Sequence, residues 1–419
     1  MNHGKIVTIL SLALGFLGSL AAHSQVPLVE DLVLSFSPPN VQVEYSPQPI
    51  CDGAGACGVF WNDSHSSAGS ETDILAAVLS PQGEVLAQPR ILATVDIATG
   101  PIAVGLDRGF AVLWDARSSD GHISPVLQYY DESLSPQGSA IELPFLKGAG
   151  FGNPLSYDVL TTIVRTPSGF ALYGAAADKP SLADGVFVFF IDRDGNPLHP
   201  RQQLNDGISP PVSVSSFSGL TVQPGGSLVA VYWGGSAVVP NIYIRRLTAG
   251  GQLLGPQTLV NPERHSSQGE PVIASAPDGS FLVAWQRSPA SSGPSDIFAR
   301  RFSAKGQPLG KPFQVNNIHQ LDQRRPAIAA DAHGNYFIVW QSFIPPYNWD
   351  VKGRLFRSDG TPVADEIRLN QVRQREQDIP QVTFSPGGTI LVGWESGSLR
   401  QRGNEELVPV ARVFSGTPQ

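Results

Sequence analysis

Cysteine is nearly absent from this 419-residue chain, sustained Lys/Arg runs are missing, and no second apolar stretch follows the one at the amino terminus. Each absence excludes something. Without a basic run, and with a formal net charge of -8, the chain lacks the electrostatic footprint of a nucleic-acid binder, and polyanions are poor partners on that ground. Without a second long apolar run, the mature chain is not expected to insert into a membrane. The two cysteines, Cys51 and Cys57, enclose only Asp52 to Ala56. In an exported protein they are expected to form a disulfide that staples a loop near the start of the first repeat. Two free thiols, or half of a metal site, are the alternatives, and no His/Cys cluster stands near them in sequence. HExxH, Gly-x-Ser-x-Gly and the P-loop are missing too, no dinucleotide Gly-x-Gly-x-x-Gly stands in a βαβ setting, and the eight His show no metal-like pairing. No cofactor and no metal are therefore expected. Asp192-Arg-Asp194-Gly-Asn196 has a superficial likeness to a Ca²⁺ loop but lacks its further acids, and an Asp-Gly hairpin turn explains it.

What the chain does contain is 43 Gly and 36 Pro, set between short runs rich in Val, Ile, Phe and Trp. That is an all-β signature. Met1 to Ser24 read as a secretory signal: Lys5 precedes the apolar stretch Ile6 to Leu20, and Ala22-His23-Ser24 offers small residues for cleavage near Ser24–Gln25. The expected product is one domain, residues 25–419, secreted or periplasmic.

A repeat governs the last third. Asn261, Pro271, Gly279 and Trp285 recur as Asn316, Pro326, Gly334 and Trp340, and again as Asn370, Pro380, Gly388 and Trp394, with steps of ten, eight and six residues each time. A Gln three residues before each Pro (Gln268, Gln323, Gln377) recurs as well. Each unit resolves into four short strands: one after the Pro, a second ending at the Trp, a third opening at an acidic or amide residue, and a fourth running to the next Asn. Degenerate units are traced through Val59-Phe-Trp61, Ala111-Val-Leu-Trp114, Ala171-Leu-Tyr173 and Val229-Ala-Val-Tyr-Trp233, giving seven markers spaced 52 to 60 residues apart. The expected fold is a seven-bladed β-propeller of four-stranded blades, with six or eight blades as alternatives. The chain ends before the seventh unit has a fourth strand, so Leu28 to Phe36 is expected to supply it and fasten the ring.

The segment Pro271 to Asn316 resembles a repeat of exported bacterial proteins, of the type Pro-x-Ile-Ala, Asp-Gly-x-Phe-Val-Val-Trp-Gln, Asp-Ile-Tyr-Ala-Arg-Arg-Phe, Gly-x-Pro-Leu-Gly, Phe-x-Val-Asn. The turns Ser275-Ala-Pro-Asp-Gly279 and Ser385-Pro-Gly-Gly388 are similar to the Ser-Pro-Asp-Gly turn of periplasmic WD-type propellers. The resemblance spans residues 200–415 well and 50–200 poorly. It implies a propeller and an extracytoplasmic address, and it carries no catalytic residue over.

Candidate functional residues lie mostly off the template. Trp349, with Tyr347, sits in the loop Pro345-Pro-Tyr-Asn-Trp-Asp350 between second and third strands, where recognition residues concentrate. The third-strand openers Asp73, Asn241, Asp296 and Asp350 could form an acidic rim, against the plainer reading that they cap turns. Arg245, Arg300, Arg354 and Arg412 read as a ladder to Asp or carbonyl groups rather than as a basic ring. The recurring Trp is expected to be inter-blade core. Glu270, Asp322, Glu376 and Asp378, just before first strands, are acids capable of proton transfer, although paired carboxylates meet in space and not in sequence. The main reading is a non-enzymatic, monomeric binding or interaction propeller whose loops meet a protein, peptide or glycan. Alternatives are a carbohydrate-active hydrolase or lyase with carboxylates in the central channel, and a structural module of a cell-surface assembly.

Overall fold

Short β-branched and aromatic runs broken every few residues by Gly or Pro cannot build helices, and the computed structural model contains seven antiparallel sheets and, among the described residues, a single turn of 3-10 helix, Pro144–Leu146. It describes residues 31–34, 43–64, 71–96, 100–117, 123–146, 158–176, 185–205, 212–213, 219–235, 239–263, 265–289, 293–346, 348–372, 376–397 and 407–415. Residues 1–24, expected from the sequence to be a secretory signal, and Tyr347 lie outside them.

Six sheets are built from strands consecutive in the chain, and one is a composite. In the composite blade, Gln377–Phe384, Ile390–Gly397 and Leu407–Phe414 are joined on the outside by Leu32–Val33, with Leu32 opposite Ala411 and Val33 opposite Val410. The expected closure by the N-terminal segment is therefore present, and the ring has seven blades. Each innermost strand packs against that of the next blade, and the last, Gln377–Phe384, packs against the first, Val43–Cys51. Seven hydrophobic clusters fill the seven blade-to-blade interfaces.

The template residues are the parts of these joints. Trp285, Trp340 and Trp394 are all 1% exposed or less, and each indole Nε1–H donates to the Oε1 of the template Gln at 2.7, 2.8 and 2.7 Å (Gln268, Gln323 and Gln377). A buried indole needs such a partner, which explains why Gln and Trp recur together. The template Asn latches the end of one strand onto the start of another. Asn316 Oδ1 accepts the Ile297 amide at 2.8 Å while its Nδ2 donates to Asp296 and to the Ile318 carbonyl; Asn370 does the same with Val351, Asp350 and Val372.

The arginines reach backwards to the preceding blade. Arg300, Arg354 and Arg412 donate to the carbonyls of Val260, Val315 and Leu369 at 2.7, 3.0 and 2.6 Å. The ladder is of the arginine-carbonyl kind and runs between blades.

Two markers differ from the sequence reading by one residue. Asn241 pairs with Gly234 as Asp296 pairs with Arg287, which puts Tyr232, not Trp233, in the Trp285 position. Tyr232 is buried, and its hydroxyl donates toward Leu204 O and Gln257 Oε1, whereas Trp233 is only partly buried on the opposite face. In the third blade the Val186 amide meets Asn205 as Ile297 meets Asn316, so Gly174 holds that position and Tyr173 points into the next interface. Side-chain direction alternates along a strand, so a one-residue slip exchanges faces.

Candidate functional site

The starts of first strands, the ends of second strands and the starts of third strands lie on one side of the ring, since Gln323 pairs with Ser342 and Ser342 with Asp350. Around the axis on that side, the last three blades share a local device. In each, the first strand is broken by a bulge at the template Pro, and the preceding residue takes a left-handed backbone: Glu270 at φ 49°, Arg325 at φ 51° and Ile379 at φ 42°. A following Pro disfavours the right-handed helical region, and the bulge takes these residues out of the ladder. Such conformations cost of order 1–3 kcal/mol each and gather at functional sites.

The bulges bring three charged side chains from three blades together. The Arg325 amide donates to Glu270 Oε2 at 3.1 Å, and the Arg325 guanidinium donates to Asp378 Oδ1 at 2.6 Å. Asp378 Oδ1 also accepts the Ile379 amide at 2.7 Å. One residue thus holds two carboxyl groups, one through its main chain and one through its side chain. Burial pushes the Glu270 carboxyl above the usual carboxylate range, with the Arg325 charge opposing that shift.

Beside this triad, Arg324 donates to Asp322 Oδ2 at 2.8 Å, and Asp322 Oδ1 accepts the Ser295 amide. The Arg324 guanidinium lies 5.2 Å from the Trp349 ring centroid, and Trp349 meets Phe343 edge-on at 5.1 Å. Trp349 is half-buried and belongs to the third strand, Asn348–Phe356, opposite Phe343, so it is part of the sheet and not of the loop in which the sequence reading put it. Asp296 and Asp350 lie on the same side but are bonded to the latch asparagines, and Asp73 accepts the Thr94 hydroxyl at 2.5 Å. These carboxylates serve the blade rather than an open rim. Glu376 is exposed, and its carbonyl accepts the amide of Gly397 at the end of the adjacent strand. Asp192 accepts the amides of Asp194 and Asn196, as a turn-capping residue does.

Arginine at the mouth escaped the sequence reading. Its only signal was position: Arg325 holds the place before the template Pro that Glu270 and Ile379 hold in the neighbouring units.

The opposite mouth holds the Cys51–Cys57 disulfide. Asp52 spends Oδ1 on the amides of Ala54, Gly55 and Ala56 and Oδ2 on Gly109 of the next blade, while the Gly53 amide donates to Leu106 O. A cavity of about 400 Å³ lies there, lined in part by Asp52, Leu106, Arg165, Asp331 and Phe384.

No family model and no curated protein matches the chain. Similar solved structures include a protein of unknown function from Dyadobacter fermentans, at TM-score 0.54 and 9% identity, covering 93% of this chain and 98% of that one. A polysaccharide lyase of family PL25, an ulvan lyase, is similar at TM-score 0.54 and 10% identity, with 92% and 95% covered. The NanB sialidase of Streptococcus pneumoniae is similar at TM-score 0.50 and 10% identity, with 90% of this chain and 69% of that one covered. At these identities the likeness establishes the propeller fold.

Proposed function

We propose that this chain is a carbohydrate-active enzyme, a hydrolase or a lyase, working at the mouth built by its last three blades. The observation that carries the reading is the pairing of Glu270, a carboxyl group held toward its protonated form by burial, with the ion pair Arg325–Asp378 at hydrogen-bond distance. Two acids in contrasting environments are what glycosidic bond cleavage uses: one gives a proton to the leaving oxygen, the other supports charge or accepts a proton. Glu270 is assigned the donor role and Asp378 the second. The half-buried Trp349, with the Arg324 guanidinium over its ring, adds an aromatic group beside these acids. The disulfide fits an extracytoplasmic setting, where polymeric glycans are met.

The test is turnover of a polysaccharide panel, read both as reducing ends for hydrolysis and as unsaturated, ultraviolet-absorbing ends for elimination. Glu270→Gln is expected to lower the rate by about 10²–10⁴-fold, the usual worth of a positioned proton donor. Wild-type rates in that variant would remove Glu270 from the mechanism. Glycan binding without turnover would favour instead a non-enzymatic binding propeller, a reading supported by the aromatic wall of Trp349 and Phe343.

A further inference from the structure

Resting on the reading just given, we infer that the mouth takes a sugar bearing a carboxylate, a hexuronate residue within a polymer, whose planar anion docks on the guanidiniums of Arg324 and Arg325, neighbours in the chain. Both side chains are well exposed, 45% and 41%, although they stand beside half-buried groups. Each is held by a carboxylate through one terminal nitrogen, Arg324 Nη2 to Asp322 and Arg325 Nη1 to Asp378. A guanidinium carries five donors in a rigid fork, so most of each fork is unspent among the described residues. The fork matches the two oxygens of a carboxylate, and the tether to Asp322 or Asp378 fixes its plane before a ligand arrives.

Local charge permits this where the whole chain would not. Arg324 and Arg325 stand in ion pairs with Asp322 and Asp378, so two cations are gathered at this mouth in a protein whose formal net charge is -8. The aromatic pair steadies the fork. The Arg324 guanidinium lies over the Trp349 ring, 5.2 Å from its centroid, and Phe343 meets the same ring edge-on, so the indole supports the plane of the guanidinium. A neutral sugar brings no anion to this fork, and the tetrahedral sulfates of dextran sulfate lack the planar pair of oxygens that a carboxylate offers.

The experiment is calorimetric titration of the full chain carrying Glu270→Gln, which suppresses turnover. Oligogalacturonate and oligoalginate are titrated against neutral galactan and dextran sulfate, with melting temperature as the check on folding. At least one of the two uronate ligands is expected to bind at least tenfold more tightly than galactan or dextran sulfate. Adding Arg324→Lys, which keeps the charge but removes the fork, is expected to weaken that binding at least tenfold, and Arg324→Gln at least as much. Equal affinity for galactan, equal affinity for dextran sulfate, or an unchanged affinity in the folded Arg324→Lys variant would each overturn the inference. The two readings fail separately. Cleavage of neutral polymers alone leaves the enzyme and removes the uronate, whereas fork-dependent uronate binding with no turnover by the wild type leaves the uronate and removes the enzyme.

Discussion

A single hydrogen bond explains why Gln and Trp stand 17 residues apart in three successive units. Gln323→Ala strands the buried Trp340 N–H, and leaving such a donor without a partner costs about 1–3 kcal/mol. Denaturant titration should show that loss, while Trp340→Phe combined with Gln323→Leu should cost less than the sum of the single changes. An additive pair would mean the bond contributes nothing. Glu270 makes a second prediction at this scale. Its carboxyl group is raised in the folded protein by burial, so the folded state holds a proton more tightly than the unfolded chain does. No penalty exists at pH below the usual carboxylate range, where both states are protonated. As pH climbs through the raised folded value, the group must ionise in a poorly hydrated place and stability falls. Melting curves of Glu270→Gln should therefore drop less between acid and neutral pH than those of the wild type; parallel curves would count against the shift.

At the scale of the strand, the latch asparagines and reaching arginines divide the labour. The asparagines tie the fourth strand to the third within a blade, and the arginines tie third strands to the carbonyls of the preceding blade. Asn316→Ala removes three bonds around Asp296 and should destabilise by about 1–3 kcal/mol, with strong coupling to Asp296→Ala in a double-mutant cycle. Much of this was legible in the sequence because the last units keep their spacing, so Pro, Gly, Trp and Asn declared four strands and a joint. Tyr173 and Trp233 were misplaced by one residue because an aromatic at a strand end looks the same on either face, and the pairing of Asn241 with Gly234 in one blade and the bond of Val186 to Asn205 in the other resolve it. The acids Glu270 and Asp378 were legible as candidates. Their meeting was not, because it depends on Arg325 in the intervening blade, whose side chain crosses to one neighbour while its amide faces the other. Asp73, Asp296 and Asp350 drew notice through their repetition, and repetition here marks the joinery.

For the whole molecule, the ring is closed by a few residues from the far end of the chain. The Leu34 amide continues the pairing onto Pro409 O at 2.9 Å, and the Leu34 side chain, 4% exposed, enters the cluster between last and first blades. Asp31 accepts the Gln371 amide at 2.8 Å and faces Arg412 at 3.4 Å. Leu34→Ala should cost about 2–5 kcal/mol, as for other fully buried leucines, and lower the melting temperature of the entire ring rather than of one blade. A melt that splits into two transitions would instead show that the closing blade unfolds alone. The strap has a temporal meaning as well. Its partner strand, Leu407–Phe414, follows every other described strand in the chain, so Leu32–Val33 must wait for all of them before it can pair. Six blades can assemble from strands consecutive in the chain, whereas the seventh is completed only by this long-range pairing.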